Sequence, residues 1–366
     1  MKNFEINKTI KIFSLINSQK KINFFCKEYR SILVVTNKKS VKKIQSKFFL
    51  NLKKKKFFFH IEDPGEPSSD KLDLSFHKLK KNSFDLVFAI GGGSIIDAAK
   101  ILSCSLKQKK IPSTIIKKKK QSYYLPIITI PTVPGSSSEV NGSAVIKHGN
   151  IKIDVNGIFP KIAILDANLI SNLEKKILFG GLSDAFSHLC EHYFNSKSHS
   201  DLVGEWTNGL FKGLISVHNK IKKKGSIKRE VFQEIFLVTS LSPKILPVAA
   251  HGKSNWEIHP FAHYIGAFLN IPHRECIGFC LNAWFKAKRM SKKKLFIKFL
   301  KNVLDNNYKY IDIWHKKFLL DSKLPINLNY LKLKNEKKYI IKKKLIKINS
   351  CFNPKEMVKF LNNLGL

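Results

Sequence analysis

The sequence predicts an α/β domain with a mostly parallel sheet, followed by a mainly helical domain. Two observations carry this prediction. In the first half of the chain, short apolar runs alternate with helical patterns, which is typical of βαβ units. Beyond Leu173, long segments carry helical periodicity and few strand signals. We therefore divide the chain into residues 1–173 and 174–366.

Individual elements follow from local patterns. Four short apolar runs predict the strands of the first domain: Ser31–Thr36, Phe57–Ile61, Asp85–Ile90 and Leu125–Ile130. Helical periodicity predicts helices over residues 181–194, 201–224 and 228–241. Near the C-terminus, Asn353-Pro354 is a helix start signal and precedes an amphipathic stretch over residues 355–364.

The composition excludes several classes of protein. The 366 residues are 43% hydrophobic, enough for a sizeable core, which excludes a disordered chain or a small disulfide scaffold. The net charge of +40 is typical of proteins that bind nucleic acid or anionic membranes. However, the lysine runs are spread along the whole chain, whereas nucleic-acid binders usually concentrate them on one face. We favour AT-rich codon usage as the cause, with weak, salt-sensitive polyanion binding as a consequence.

The cysteines and the apolar runs predict a cytoplasmic protein without a membrane partner. The six cysteines form no Cys-x-x-Cys pair and are expected to be reduced thiols. No apolar run reaches the roughly 18 residues of a membrane-spanning helix. Residues 1–18 lack the continuous apolar segment of a signal peptide.

A glycine turn follows the third predicted strand. The segment Gly91-Gly92-Gly93-Ser94 opens a predicted helix, where glycines allow close backbone approach and free N–H groups attract anions. This pattern favours a pyrophosphate cradle, although it is not the Gly-x-Gly-x-x-Gly fingerprint. A capping box, with Ser94 as N-cap and Asp97 three residues later, is the alternative interpretation. Capping accounts for these two residues but not for three consecutive glycines.

A second polar loop follows the fourth predicted strand. Residues 129–139 are rich in hydroxyl side chains, proline and glycine. Taken alone, this segment is an ordinary loop with a helix starting near Ser138 and Glu139. Because ligands bind at the carboxyl ends of strands in open α/β sheets, we expect it to form a wall of the same crevice.

Histidines cluster in the second domain. Eight of the twelve lie between His188 and His273. Asp184 and His188 are one helical turn apart, as are His259 and His263. One Asp with three His suits Fe²⁺ or Zn²⁺ and leaves a coordination position open. Scattered core or surface histidines are the alternative, but the combined set favours a metal site.

Taken together, these motifs resemble the iron-containing (group III) alcohol dehydrogenases, which are related to dehydroquinate synthase and glycerol dehydrogenase. Five blocks match in order: Gly65–Pro67, Gly91–Lys100, Thr129–Glu139, Asp166–Leu169 and Asp184–His273. Asn353-Pro354 resembles a late family element. The resemblance implies the dehydroquinate synthase-like fold, with a Rossmann-like nucleotide-binding domain (1–173) and an all-helical metal-binding and substrate domain (174–366). It also implies catalysis in the cleft between the two domains, and a homodimer.

The resemblance also implies roles for particular residues. The metal ligands would be Asp184, His188, His259 and His273. His263 would be a catalytic, non-ligand histidine near the nicotinamide and substrate. The residues expected to contact the cofactor, NAD(H) or NADP(H), are Asn37, Gly92, Gly93, Ser94, Thr132, Ser136, Lys152 and Leu169. Among these, the two glycines and Ser94 would hold the pyrophosphate.

Two departures from the family pattern bear on specificity. Asn37 stands where the family commonly has Asp, and Lys38 and Lys39 follow it, so NADP(H) would be tolerated or preferred. Arg274 replaces the glycine that usually follows the last ligand. It would either recognise an anionic group on the substrate or pair with Glu275.

The implied activity is a metal-dependent NAD(P)H oxidoreductase that interconverts an alcohol with an aldehyde or ketone. The metal ion would polarise the carbonyl oxygen for hydride transfer. One alternative is a metal- and NAD-dependent lyase or cyclase of the dehydroquinate synthase type. Another is a basic polyanion-binding protein on a decayed dehydrogenase scaffold, which retention of all four candidate ligands argues against. The partners expected are a small alcohol or aldehyde, and no specific nucleic acid.

Overall fold

The chain, in a computed structural model, packs as two compact units. The structure describes residues 11–15, 22, 24–38, 56–62, 67–149, 151–195, 201–223, 225–242 and 256–366. The first unit takes in the described residues of 6–172 and 227–240; the second takes in those of 173–226 and 241–366. Of the residues that the sequence singles out, Lys39, Gly65 and Glu66 lie outside the described residues.

A six-stranded sheet forms the centre of the first unit. Its strands are β1 Lys11–Leu15, β2 Ser31–Asn37, β3 Lys56–Glu62, β4 Leu86–Gly91, β5 Ile127–Pro131 and β8 Ile162–Asp166. The strand order is β1-β8-β5-β4-β2-β3, and every neighbouring pair is parallel. The four predicted strands are confirmed as β2 to β5, each shifted by at most two residues, whereas β1 and β8 were not predicted.

Both faces of the sheet are buried along its central strands β2, β4, β5 and β8. Side chains alternate between the two faces of a strand. Along β2, Leu33 and Val35 belong to one buried apolar cluster, and Ile32 and Val34 belong to a second. Since neither face meets water, the central strands are continuous apolar runs rather than alternating ones.

Helices and a hairpin surround the sheet. The helices of this unit are α1 Ser69–Leu79, α2 Gly93–Gln108, α3 Pro112–Lys117 and α6 Arg229–Leu241. The hairpin pairs β6 Ala144–His148 with β7 Ile151–Val155 in antiparallel register.

Helix α6 packs with the sheet unit although it lies beyond residue 173. The hydroxyl of Ser137 donates to the carbonyl oxygen of Thr239 at 2.7 Å, and Ser240 donates to the carboxylate of Glu139 at 2.6 Å. Burial raises the pKa of Glu139. The observed units therefore differ from a division into residues 1–173 and 174–366, because α6 packs with the first unit. Local periodicity does not reveal which unit a helix joins.

The described residues of the second unit form helices joined by loops, with no strand among them. Its helices are α4 Lys175–Asn195, α5 Asp201–Lys222, α7 His259–Leu269, α8 His273–Lys288, α9 Lys293–Leu304, α10 Ile311–Asp321, α11 Asn335–Ile348 and α12 Pro354–Leu364. The predicted start of α12 is confirmed, since Asn353 caps it and forms a capping box with Glu356. Among the helices described, none is both long and apolar enough to cross a membrane.

Candidate metal centre and nucleotide cradle

Three helices of the helical unit bring the candidate metal ligands together. Asp184 and His188 lie one turn apart in the middle of α4. His259 is the first residue of α7, and Pro260 favours a helix start at that point. His273 is the first residue of α8, directly after Pro272. Two of the three helices thus begin at a candidate ligand, because a neighbouring proline favours helix initiation.

Three of the four side chains, all histidines, converge on one carboxylate oxygen of the fourth, Asp184. Oδ1 of Asp184 lies 3.9 Å from Nε2 of His188 and 3.9 Å from Nε2 of His259. It lies 3.6 Å from Nε2 of His273. These distances exceed those of ordinary hydrogen bonds. Tetrahedral ligands about 2.1 Å from one ion lie about 3.4 Å apart. The candidate ligand atoms of Asp184, His259 and His273 all lie within 4.8 Å of one another and fit a shared metal ion, with His188 beside Asp184 as a fourth candidate.

Burial and charge make Asp184 a suitable ligand. Its side chain is about one tenth exposed, and Oδ1 accepts no hydrogen bond from the described residues. Burial by itself raises the pKa of Asp184, but the charges of the neighbouring His188, His273 and His259 outweigh it and hold the pKa below its usual value. A buried anionic oxygen between three imidazole nitrogens fits a borderline divalent cation such as Fe²⁺ or Zn²⁺.

His263 lies in the same cluster, beside two of the candidate ligands. Its ring stacks on that of His273 at a centroid distance of 4.5 Å and an interplanar angle of 13°. The ring of His259, one turn earlier on α7, is 5.8 Å away. The side chain is half-buried. The structure therefore brings all five predicted residues of the metal site together.

Sequence reasoning missed Trp256, which forms one wall of this cluster. Its ring makes edge contacts with His188 at 5.8 Å and with His259 at 4.8 Å. It also contacts His192 at 5.3 Å, on the next turn of α4. No sequence signal points to Trp256, because it precedes α7 and its contacts on α4 are more than 60 residues away.

Glu191 was also missed, and it holds His259 in place. Its fully buried carboxylate contacts Nδ1 of His259. It also accepts hydrogen bonds from the backbone N–H of Ile258 at 2.5 Å and of His259 at 3.3 Å. A carboxylate on Nδ1 leaves Nε2 for the metal, an arrangement common around metal-binding histidines. The spacing of Glu191, seven residues after Asp184 on the same helix face, is a signal that could have identified it.

The glycine turn lies at the carboxyl edge of the sheet in the first unit. Gly91 ends β4, Gly92 is the N-cap residue and α2 begins at Gly93. The predicted alternative, a capping box from Ser94 to Asp97, is wrong because the helix starts one residue before Ser94. No side chain caps α2, so its first N–H groups remain available to an anionic ligand.

The second polar loop contacts the glycine turn. A Cβ on Gly93 would lie 2.4 Å from Oγ of Ser136, so the two loops approach closely only because Gly93 lacks a side chain. The N–H of Thr132 donates to the carbonyl oxygen of Gly91 at 2.9 Å. A Cβ on Gly92 would meet nothing closer than Val133 at 3.8 Å, which leaves space in front of this residue. The structure thus brings the two predicted loops together.

A buried network supports the second loop. The ammonium group of Lys100 is fully buried and donates to Oγ of Ser138 at 2.8 Å and to the carbonyl oxygen of Ser143 at 2.6 Å. The carboxylate of Asp97 accepts from Oγ of Ser138 at 2.5 Å and from the N–H of Val145 at 3.1 Å. Burial raises the pKa of Asp97, and the charge of Lys100 opposes that rise. The Asp and Lys of the glycine block therefore position the second loop.

The remaining candidate cofactor residues lie in different parts of the first unit. Asn37 ends β2 and Leu169 follows β8, so both lie at the carboxyl edge of the parallel sheet. Asn37 is in register with Glu62, the last residue of β3. Lys152 lies instead in the separate hairpin, opposite Lys147 on β6.

Comparisons with known proteins agree with this arrangement. Residues 11–167 match the family model described as iron-containing alcohol dehydrogenase. The probable NADH-dependent butanol dehydrogenase 1 of Bacillus subtilis (strain 168) is 26% identical over 212 residues, covering 57% of this chain and 54% of that protein. NADH-dependent butanol dehydrogenase B of Clostridium acetobutylicum is 25% identical over 289 residues, covering 74% of this chain and 72% of that protein. The match to the B. subtilis relative thus spans about half the length of that protein.

A solved structure shares the fold of this chain. NADH-dependent butanol dehydrogenase A from Thermotoga maritima superimposes with a TM-score of 0.87, covering 100% of this chain and 98% of that one, at 20% identity. The predicted fold, an α/β half with a parallel sheet followed by a helical half, is confirmed. Through the family model matched by residues 11–167 and the relatives named above, the chain is similar to iron-containing alcohol dehydrogenases.

Proposed function

We propose that the chain is a metal-dependent NAD(P)H oxidoreductase that interconverts an alcohol with an aldehyde or ketone. The observation that carries the proposal is the convergence of three imidazole Nε2 atoms within 3.9 Å of Oδ1 of Asp184. The match of residues 11–167 to the iron-containing alcohol dehydrogenase model and the similarity to proteins named butanol dehydrogenases support it. In the oxidative direction, an alcohol and NAD(P)⁺ give a carbonyl compound, NAD(P)H and a proton.

The candidate ligands would hold one Fe²⁺ or Zn²⁺ ion. They are Asp184, His188, His259 and His273. When bound, the ion would act as a Lewis acid on the substrate oxygen, and a nicotinamide would carry the hydride. The protein would hold the ligand imidazoles in place. Glu191 orients the ring of His259, and Trp256 packs its ring edge against those of His188 and His259.

His263 is the candidate for proton exchange. It is half-buried and stacks on His273, so it reaches the cluster without being required as a ligand. A histidine in such a position can take the hydroxyl proton of the alcohol and pass it to solvent.

The first unit would bind the dinucleotide at the carboxyl edge of its sheet. Gly92, Gly93 and Ser94 would hold the pyrophosphate at the uncapped start of α2. Thr132 and Ser136, on the contacting loop, would line the nicotinamide side. Leu169 and Lys152 are proposed as further contacts.

Asn37 is proposed to govern the choice between NADH and NADPH. It ends β2, and the exposed Lys38 follows it. A carboxylate at this position would bind the ribose hydroxyls of NADH and repel the 2′-phosphate of NADPH, whereas Asn37 lacks that charge. We therefore propose that NADPH is accepted, and that Asn37→Asp lowers its affinity relative to NADH.

The decisive experiment is anaerobic purification followed by metal quantification and separate fluorescence titrations with NADPH and NADH. We expect one equivalent of Fe or Zn, saturable nucleotide binding, and turnover of short aldehydes. If NADH binds more tightly than NADPH, the proposed oxidoreductase activity stands but the proposed role of Asn37 is wrong. A folded, metal-reconstituted sample that binds no nucleotide and turns over no aldehyde would overturn the proposed function.

A further inference from the structure

The side chain of Arg274 occupies space that only a glycine on α4 leaves open. A Cβ added to Gly180 would lie 2.6 Å from Cδ, 3.0 Å from Cγ and 3.2 Å from Cβ of Arg274. Three consecutive carbons of the arginine stem therefore lie against the backbone of α4 at Gly180. Any larger residue at position 180 would displace the arginine.

This contact places Arg274 beside the candidate metal centre. Gly180 and Asp184 are four residues apart on α4, so their Cβ positions share one helix face about 6 Å apart. Arg274 directly follows His273, whose Nε2 is 3.6 Å from Asp184. Arg274 is therefore close to the carboxylate of Asp184 by two routes, through Gly180 on the same face of α4 and through its chain neighbour His273.

The guanidinium is not used in an ion pair within the described residues. Glu275, which the sequence offers as its partner, instead pairs with Lys176 at 2.8 Å. No other carboxylate among the described residues lies within ion-pairing distance of Arg274. Arg274 is also the second residue of α8, where a positive charge is unfavourable because it faces the positive end of the helix dipole. The charge of this half-buried cation therefore gains no stabilising ion pair among the described residues.

We propose that Arg274 binds a carboxylate on the substrate, which makes the preferred substrates short aldehydes and alcohols that carry an acid group. This inference rests on the proposed oxidoreductase function and names its substrate class. A guanidinium presents two parallel N–H donors that match the two oxygens of a carboxylate. The arginine stem, held by Gly180, sets where that carboxylate lies relative to the metal ligands.

The test compares one acid with its neutral ester. Reduction of succinic semialdehyde and of its methyl ester is measured with metal-loaded protein, for the unaltered chain and for Arg274→Met, Arg274→Lys and Lys176→Met. Arg274→Met keeps most of the side-chain length and removes the charge. Arg274→Lys keeps a positive charge but lacks the planar guanidinium. Lys176→Met is the control, since it removes a neighbouring positive charge that is already paired with Glu275. Isothermal titration with 4-hydroxybutanoate, without nucleotide, provides a readout that does not require turnover.

We expect Arg274→Met to raise KM for the acid about 10- to 100-fold, the range for losing a charged hydrogen-bond partner, with kcat and the ester little changed. KM for the acid in Arg274→Lys should lie between the values of the unaltered chain and Arg274→Met. Lys176→Met should leave KM for the acid within about twofold of the unaltered chain. The affinity for 4-hydroxybutanoate measured by calorimetry should change in parallel with KM. Equal effects on acid and ester, or unchanged 4-hydroxybutanoate binding in Arg274→Met, would overturn the inference. If no variant reduces either aldehyde, the oxidoreductase function fails and the calorimetry alone decides the role of Arg274.

Discussion

The carboxylate of Glu191 contacts Nδ1 of His259 and also accepts hydrogen bonds from the backbone at the start of α7. One buried group therefore anchors the first turn of that helix and sets the orientation of its first imidazole. Because the contact uses Nδ1, Nε2 points toward Asp184, 3.9 Å away.

Substitution of Glu191 should weaken metal binding. Glu191→Gln keeps the side-chain size but removes the charge, and we expect metal affinity to fall about 10- to 100-fold, the usual range for a partner of a ligating histidine. Competition against a chelating dye with Zn²⁺ or Co²⁺ measures this. Glu257→Gln is the matched control, since Glu257 lies two residues before His259 but accepts from Trp284 at 2.8 Å. Equal metal affinity in parent and Glu191→Gln would contradict the orienting role.

Two histidines on one helix should separate metal retention from turnover. His259→Ala removes a candidate ligand, so bound metal and turnover should be lost together. His263→Ala lies one turn further along α7 and should keep bound metal while lowering kcat about 100-fold or more, as loss of a general acid or base does. Metal analysis alongside steady-state kinetics distinguishes the two. Full metal occupancy with normal turnover in His259→Ala would reject the ligand assignment.

Gly93 should be required for the contact between the two loops of the nucleotide cradle. Gly93→Ala introduces a Cβ 2.4 Å from Oγ of Ser136, so one loop must shift, and NADH and NADPH affinity should fall at least tenfold. The double variant Gly93→Ala/Ser136→Gly relieves the clash and should recover part of the affinity. Gly204→Ala, in α5 with nothing within 4 Å of the added Cβ, is the control and should leave nucleotide binding unchanged. Fluorescence titration measures all three, and unchanged binding in Gly93→Ala would contradict the role given to this glycine.

His315 should make the stability of the protein depend on pH. Burial lowers the pKa of this fully buried histidine from 6.5 to about 3, and its ring stacks on Phe318 at 5.9 Å. Below pH 6.5 the unfolded chain binds a proton at this site that the folded chain does not bind, so stability falls as the pH falls from about 6.5 toward 3. The slope for one such group is about 1.4 kcal/mol per pH unit at most.

Replacing this histidine should reduce that dependence. Urea unfolding of the parent and of His315→Leu at pH 8 and pH 5 measures the free energy of unfolding of each protein. Relative to the parent, the variant should be more stable at pH 5 than at pH 8 by about 2 kcal/mol. His218, whose pKa burial lowers to about 4, is present in both proteins and cancels in the comparison, as do the histidines of the metal cluster. The same pH dependence in both proteins would show that His315 does not titrate as described.

Local sequence patterns by themselves determined part of the secondary structure and the residue types of the site. The apolar runs of β2 to β5, the Asn353-Pro354 helix start and the pairing of Asp184 with His188 all depend on neighbours within one strand or one helical turn. Such signals are encoded over a few residues, so they can be identified without a tertiary structure. The glycine turn was located for the same reason.

Contacts between distant residues were decided only by the tertiary structure. The place of β8 between β1 and β5, the packing of α6 on the sheet unit, and the pairing of Glu275 with Lys176 rather than Arg274 join segments far apart in the chain. The same holds for Glu191 with His259 and for Gly180 with Arg274, more than 60 residues apart in each case. A sequence pattern specifies which face of a helix is buried, but the partner of that face depends on how whole elements pack, because burial is shared among many side chains at once.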